Sequence, residues 1–127
     1  MIKKVLMLLL FSIFFLTACS GDKIMNFLDE SDNWSVNYQV KKFDENKEAA
    51  EFTITYIGEE PTPKKIHYNL DYPSQYSLKI DGNSSFEGVL QLAGHSCDDC
   101  SGSKEDDEIT VIITWDGKSE LLHLKNQ

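Results

Sequence analysis

The sequence predicts an all-β fold, an antiparallel β-sandwich, and three observations predict it. Apolar and polar residues alternate with a period of two over seven short runs after residue 32. Turn residues separate these runs at regular spacing, and almost no stretch has helical period. The folded part is expected to be one domain spanning residues 33–127.

Each strand has its own signal. Trp34, Val36, Tyr38 and Val40 alternate with Ser35, Asn37, Gln39 and Lys41, as a half-buried strand requires. A charged turn, Asp44-Glu45-Asn46-Lys47-Glu48, leads to a second run in which Phe52, Ile54 and Tyr56 alternate with Thr53, Thr55 and Ile57 before Gly58 stops it. Pro61 and Pro63 break the chain ahead of Ile66, Tyr68 and Leu70, and Pro73 closes that strand. Tyr76, Leu78 and Ile80 form the fourth strand, ended by the turn signal Asp81-Gly82-Asn83-Ser84. The fifth runs from Phe86 to Leu92, where Gly88 marks a bulge or kink. A loop from about Ala93 to Asp107 precedes Ile109, Val111, Ile113 and Trp115. Asp116-Gly117 then turns a hairpin into a last strand, Glu120 to Leu124. An immunoglobulin-like sandwich is the first expectation and a small open β-barrel the alternative, because alternation does not fix how sheets close. Trp34 and Trp115 fall in phase with aliphatic neighbours and are expected to anchor the core.

The N-terminus carries a different pattern. Lys3 and Lys4 precede an apolar run from Val5 to Leu16, which ends in Leu16-Thr17-Ala18-Cys19. A spanning helix needs about 20 apolar residues, so this shorter run reads as a helical signal segment that is cleaved off. Leu16-Thr17-Ala18-Cys19 resembles the lipobox of bacterial lipoproteins. The resemblance implies a signal peptide over 1–18 and a mature chain starting at Cys19. Its sulfur would carry diacylglycerol and its amino group an N-acyl chain such as palmitate. Two acyl chains hold a protein stably to a membrane where one is marginal. Residues 19–32 are expected to be the lipid-anchored tether. The implied location is the cell membrane, on its extracytoplasmic face.

Loss of Lys3 and Lys4 with the signal moves the formal charge from −9 to −11, and the chain has no arginine. Such a surface repels phosphate backbones and anionic headgroups, which excludes nucleic acid and a polybasic membrane mode. Cations, peptides or proteins are left as partners.

His95-Ser96-Cys97-Asp98-Asp99-Cys100 is the one constellation with chemistry in it. A disulfide between Cys97 and Cys100 suits an oxidising exterior. Metal binding is the alternative, with His95, Cys97 and Cys100 as ligands, Asp98 or Asp99 as a fourth, and zinc the ion that fits. A second ligand pair at zinc-site spacing is missing, and His67 and His123 stand alone on strands. Thiol–disulfide exchange is disfavoured, because Asp98 and Asp99 would raise the thiol pKa and the pattern is all-β. Glu105-Asp106-Asp107-Glu108 lacks the spacing of a calcium loop and reads as a solvated run. Tyr68, Tyr72 and Tyr76 are expected at strand and turn positions rather than in a ligand groove. No nucleophile elbow or phosphate-cradling glycine loop is present, so no catalytic residues are expected.

Three patches, Trp34-Ser35-Val36-Asn37-Tyr38, Ile54-Thr55-Tyr56-Ile57-Gly58 and Ile113-Thr114-Trp115-Asp116-Gly117-Lys118-Ser119-Glu120, are similar to small lipoproteins of Gram-positive bacteria. That resemblance implies a surface-tethered β-domain and brings no catalytic residues. The expected function is a non-enzymatic binding or interaction module, with an extracytoplasmic metal-binding lipoprotein as the alternative.

Overall fold

The computed structural model describes residues 23–75 and 77–127. The signal segment, Cys19 and Tyr76 lie outside the described residues. Eight strands follow in order: β1 (Lys23–Glu30), β2 (Trp34–Lys42), β3 (Glu48–Tyr56), β4 (Lys65–Tyr72), β5 (Leu78–Ser85), β6 (Val89–Cys97), β7 (Ile109–Trp115) and β8 (Lys118–Asn126). All neighbours pair antiparallel in the order β5-β4-β7-β8-β1-β2-β3-β6, which forms a nearly closed sheet. In the lettering of immunoglobulin-like sandwiches, β2-β3-β6 takes the A-B-E order and β5-β4-β7-β8 the C′-C-F-G order. β1 bridges the two groups on one side and leaves β5 and β6 as free edges on the other, giving the sandwich the outline of an open barrel.

Alternation makes the core. Val36, Tyr38, Phe52, Ile54, Leu70, Tyr72, Ile109, Ile113, Leu122 and Leu124 face inward and are fully buried. At one end Trp34 meets Trp115, Tyr56 and Phe86 edge-on, with ring centroids 5.3, 5.1 and 5.4 Å away. Both tryptophans are core anchors, as their phase predicts. The Asp116-Gly117 hairpin also forms as expected, with φ of 46° and 76° at the two turn residues.

Four expectations need correction. The segment expected as a tether contains β1, which pairs with β2 over eight residue pairs and with β8 over two, and buries Met25 and Phe27. The turn signal at Asp81-Gly82-Asn83-Ser84 lies inside β5, in register with Tyr68 and its neighbours on β4. Gly82 is there because Tyr68 lies over it: an added Cβ would come 2.8 Å from the Tyr68 Cζ. The β5–β6 turn falls at 86–88, so Gly88, with φ 103°, serves a turn and not a bulge. Finally, β6 continues through Cys97, and the β6–β7 loop is confined to 98–108.

The register sorts the loops into two ends. Lys23 opposes Lys42, Lys42 opposes Glu48, and Glu48 opposes Cys97. The start of β1 therefore shares one end with loops 43–47 and 98–108 and with residues 73–75 after β4. Loops 31–33, 57–64, 86–88 and 116–117 occupy the other.

Candidate functional site

A one-residue bulge positions the site. Glu51 opposes Ala93 and Ala49 opposes Ser96, so Gly94 and His95 together face the single residue Ala50. The bulge resets the alternation of β6. Leu90, Leu92 and Gly94 face inward before it, His95 and Cys97 after it. Without that extra residue the imidazole would point to solvent.

His95 enters a buried polar cluster, its side chain only 9% exposed. Its backbone N–H donates to Tyr38 Oη at 3.0 Å, and its Nδ1 lies 2.6 Å from the same oxygen. Its Nε2 lies 2.7 Å from Glu48 Oε2. Every atom is satisfied when the Tyr38 hydroxyl donates to Nδ1 and Nε2–H donates to the carboxylate. The imidazole stacks on Tyr38 at 5.8 Å and meets Tyr72 edge-on at 6.0 Å. Gln75 is buried beside it with Nε2 3.4 Å from His95 Nε2, and among the described residues its Oε1 has no hydrogen-bond partner.

Glu48 is the centre of this cluster and is 2% exposed. Ser103 donates twice to it, N–H to Oε1 and Oγ–H to Oε2, both at 2.6 Å. Burial works against its charge, but the Ser103 bonds and His95 outweigh burial and hold the carboxyl below its ordinary value. Burial pushes the Tyr38 hydroxyl up to about 12, against the His95 N–H and with help from the Glu48 charge. Tyr72 is raised further by burial and by Asp107, whose Oδ2 accepts its hydroxyl at 2.6 Å. Gly102, with φ 78°, turns the loop back so that Ser103 reaches Glu48. Lys42 Nζ donates to the Ser103 carbonyl at 2.8 Å and brings a positive charge close by.

Cys97 and Cys100 form the expected disulfide, with Cα atoms 6.0 Å apart. The expected alternative ligand set does not assemble. His95 is engaged by Glu48 and Tyr38, while the Asp98 side chain is 90% exposed and sits 3.8 Å from Lys47 Nζ. Among the described residues the group with metal-ligand geometry is Glu48, Cys97 and Cys100, whose ligand atoms lie within 4.8 Å of one another.

The remaining sequence candidates scatter. His67 pairs with Asp81 at 2.6 Å on the outer face, and His123 is exposed on β8. Glu105 meets Lys23 at 2.9 Å in solvent. Asp107 leaves the acidic run to accept Tyr72 and the Lys104 N–H. Tyr68 and Tyr72 are core residues. Glu48, expected in a turn, belongs instead to β3, and Ser103, which carries no signal of its own in the sequence, completes its bonds. The signal for Glu48 was present, because it stands in phase with Ala50, Phe52 and Ile54.

Two of the open recesses on the described surface flank these groups at either end of the sheet. One of about 460 Å³ lies over the bulge, beside Leu92, Gly94, His95 and Ser96. The other, about 550 Å³, lies toward the opposite end, between His67, Asn83, Thr114 and Asp116. No family model, curated protein or solved structure is significantly similar to the chain.

Proposed function

We propose that this chain is a lipid-anchored, extracytoplasmic β-domain that works as a non-enzymatic binding or interaction module. The observation that carries the reading is the spacing between Leu16-Thr17-Ala18-Cys19 and β1, which starts at Lys23. Only Ser20, Gly21 and Asp22 separate a lipidated Cys19 from the sheet, a reach of at most about 14 Å. A domain tied so closely stands with its disulfide end toward the lipid. Loops 31–33, 57–64, 86–88 and 116–117 then face away from it, where partners arrive.

The arrangement of the polar groups supports binding over catalysis. Glu48, His95, Tyr38 and Ser103 are committed to one another. Exposed apolar side chains at the far end, Ile57 at 44% and Val89 at 56%, offer contact surface instead.

Metabolic labelling with a clickable fatty acid tests the anchor. Wild type should label and fractionate with membranes, whereas a Cys19→Ala chain that still labels refutes the proposal. A photo-crosslinker at Ile57 should capture protein partners in cells, and one at Phe43 should capture lipid.

A further inference from the structure

We propose that Glu48, Cys97 and Cys100 form a redox-gated site for a divalent, borderline-soft cation of the zinc class, closed by the disulfide and opened by its reduction. This goes beyond the binding-module reading and does not depend on the lipid anchor.

The geometry is prepared on both sides of the sulfur pair. Cys97 stands in β6 directly opposite Glu48. The Cys100 N–H donates to the Asn46 carbonyl at 3.0 Å, and Ser103 holds its end of the loop on Glu48. None of these bonds uses the S–S link, so breaking it leaves both sulfurs beside the carboxylate.

The donor chemistry fits as well. Two thiolates and one carboxylate supply three of four tetrahedral positions, and water takes the fourth. Among the described residues Glu48 Oε1 accepts only the Ser103 N–H and keeps a lone pair for a metal, while Oε2 is fixed by Ser103 Oγ and His95 Nε2. His95 therefore orients a ligand instead of being one. Three negative donors around a dication leave one excess negative charge, and Lys42 Nζ stands close enough to offset it.

The steps balance. A dithiol reductant gives two electrons and two protons to the disulfide, leaving two cysteine thiols and becoming a disulfide itself. Binding the dication then releases the two thiol protons, and the carboxylate is already ionised.

The test uses the full-length Cys19→Ser chain in detergent, which removes the third thiol. After reduction and removal of the reductant, it should retain one zinc per chain and give a thiolate-to-metal charge-transfer band with cobalt(II). The oxidised protein should do neither. Cys97→Ser should lose the band. Folded Glu48→Gln should bind at least about tenfold more weakly, since even residues that merely orient a ligand are worth that much. Asp98→Asn should bind like wild type. X-ray absorption of the zinc-loaded protein should show two sulfurs with oxygen neighbours, which holds the test open if Glu48→Gln fails to fold. Absence of retained zinc in the reduced protein overturns the proposal. So do equal retention by the oxidised form, unchanged affinity in folded Glu48→Gln, or a four-sulfur shell.

Discussion

At Gly94 an added Cβ would lie 2.7 Å from Tyr38 Oη and 3.0 Å from the Ala50 Cβ. Tyr38 has nowhere to retreat, because it is fully buried among Phe52, Tyr72 and His95. Gly94→Ala is therefore expected to lose about 1–3 kcal/mol, as overpacked sites do, and to disturb both Tyr38–His95 bonds. Denaturant unfolding measures the first effect, and the imidazole NMR signals of His95 report the second. Ala93→Ser, one residue away on the exposed face, should change stability by no more than about 0.5 kcal/mol.

At the level of elements, β1 is the strand whose role departs most from expectation. Phe27 is fully buried, whereas Ile24 on the same strand is 53% exposed. Phe27→Ala should cost about 3–5 kcal/mol. Ile24→Ala should cost about 0.5 kcal/mol or less, and thermal melts of the two variants separate a structural strand from a passive tether. The central strands were legible because one of their faces is continuously apolar. β1 was not, since only Met25 and Phe27 mark its buried face, and Asp29 takes the next position on it. The Asp81-Gly82-Asn83-Ser84 stretch looked like a turn because glycine's usual role there is conformational, whereas here it makes room for the Tyr68 ring across the sheet. The site was half legible: two cysteines three residues apart point to a disulfide or a shared ligand set. Its carboxylate comes from a strand some 50 residues earlier, and the bulge that brings in His95 has no local signature except a glycine.

For the whole molecule, titration sets the stability window. The carboxyls of Glu48 and Glu120 both stay ionised below their ordinary range. For Glu120, burial is outweighed by hydrogen bonds from Asn33 and Ser31. Their stabilisation is complete above the ordinary carboxylate range and is lost as pH falls through the lowered folded values. Tyr38 acts on the other side: raised from 10.0 to about 12, its contribution is intact below pH 10 and disappears as pH climbs toward 12. Unfolding midpoints should thus form a plateau that falls at both extremes. Glu120→Gln should lower the plateau and flatten the acid limb, and Tyr38→Phe should flatten the alkaline limb. β1 also decides how the domain answers mechanical load. A tug applied at residue 23, where the proposed anchor would act, runs along the strand axis, against eight residue pairs with β2 that must yield together, instead of opening them one at a time. Held by a partner at its far loops, the domain would resist in shear, and single-molecule pulling from residue 23 against residue 59 should need more force than pulling across the free β5 and β6 edges.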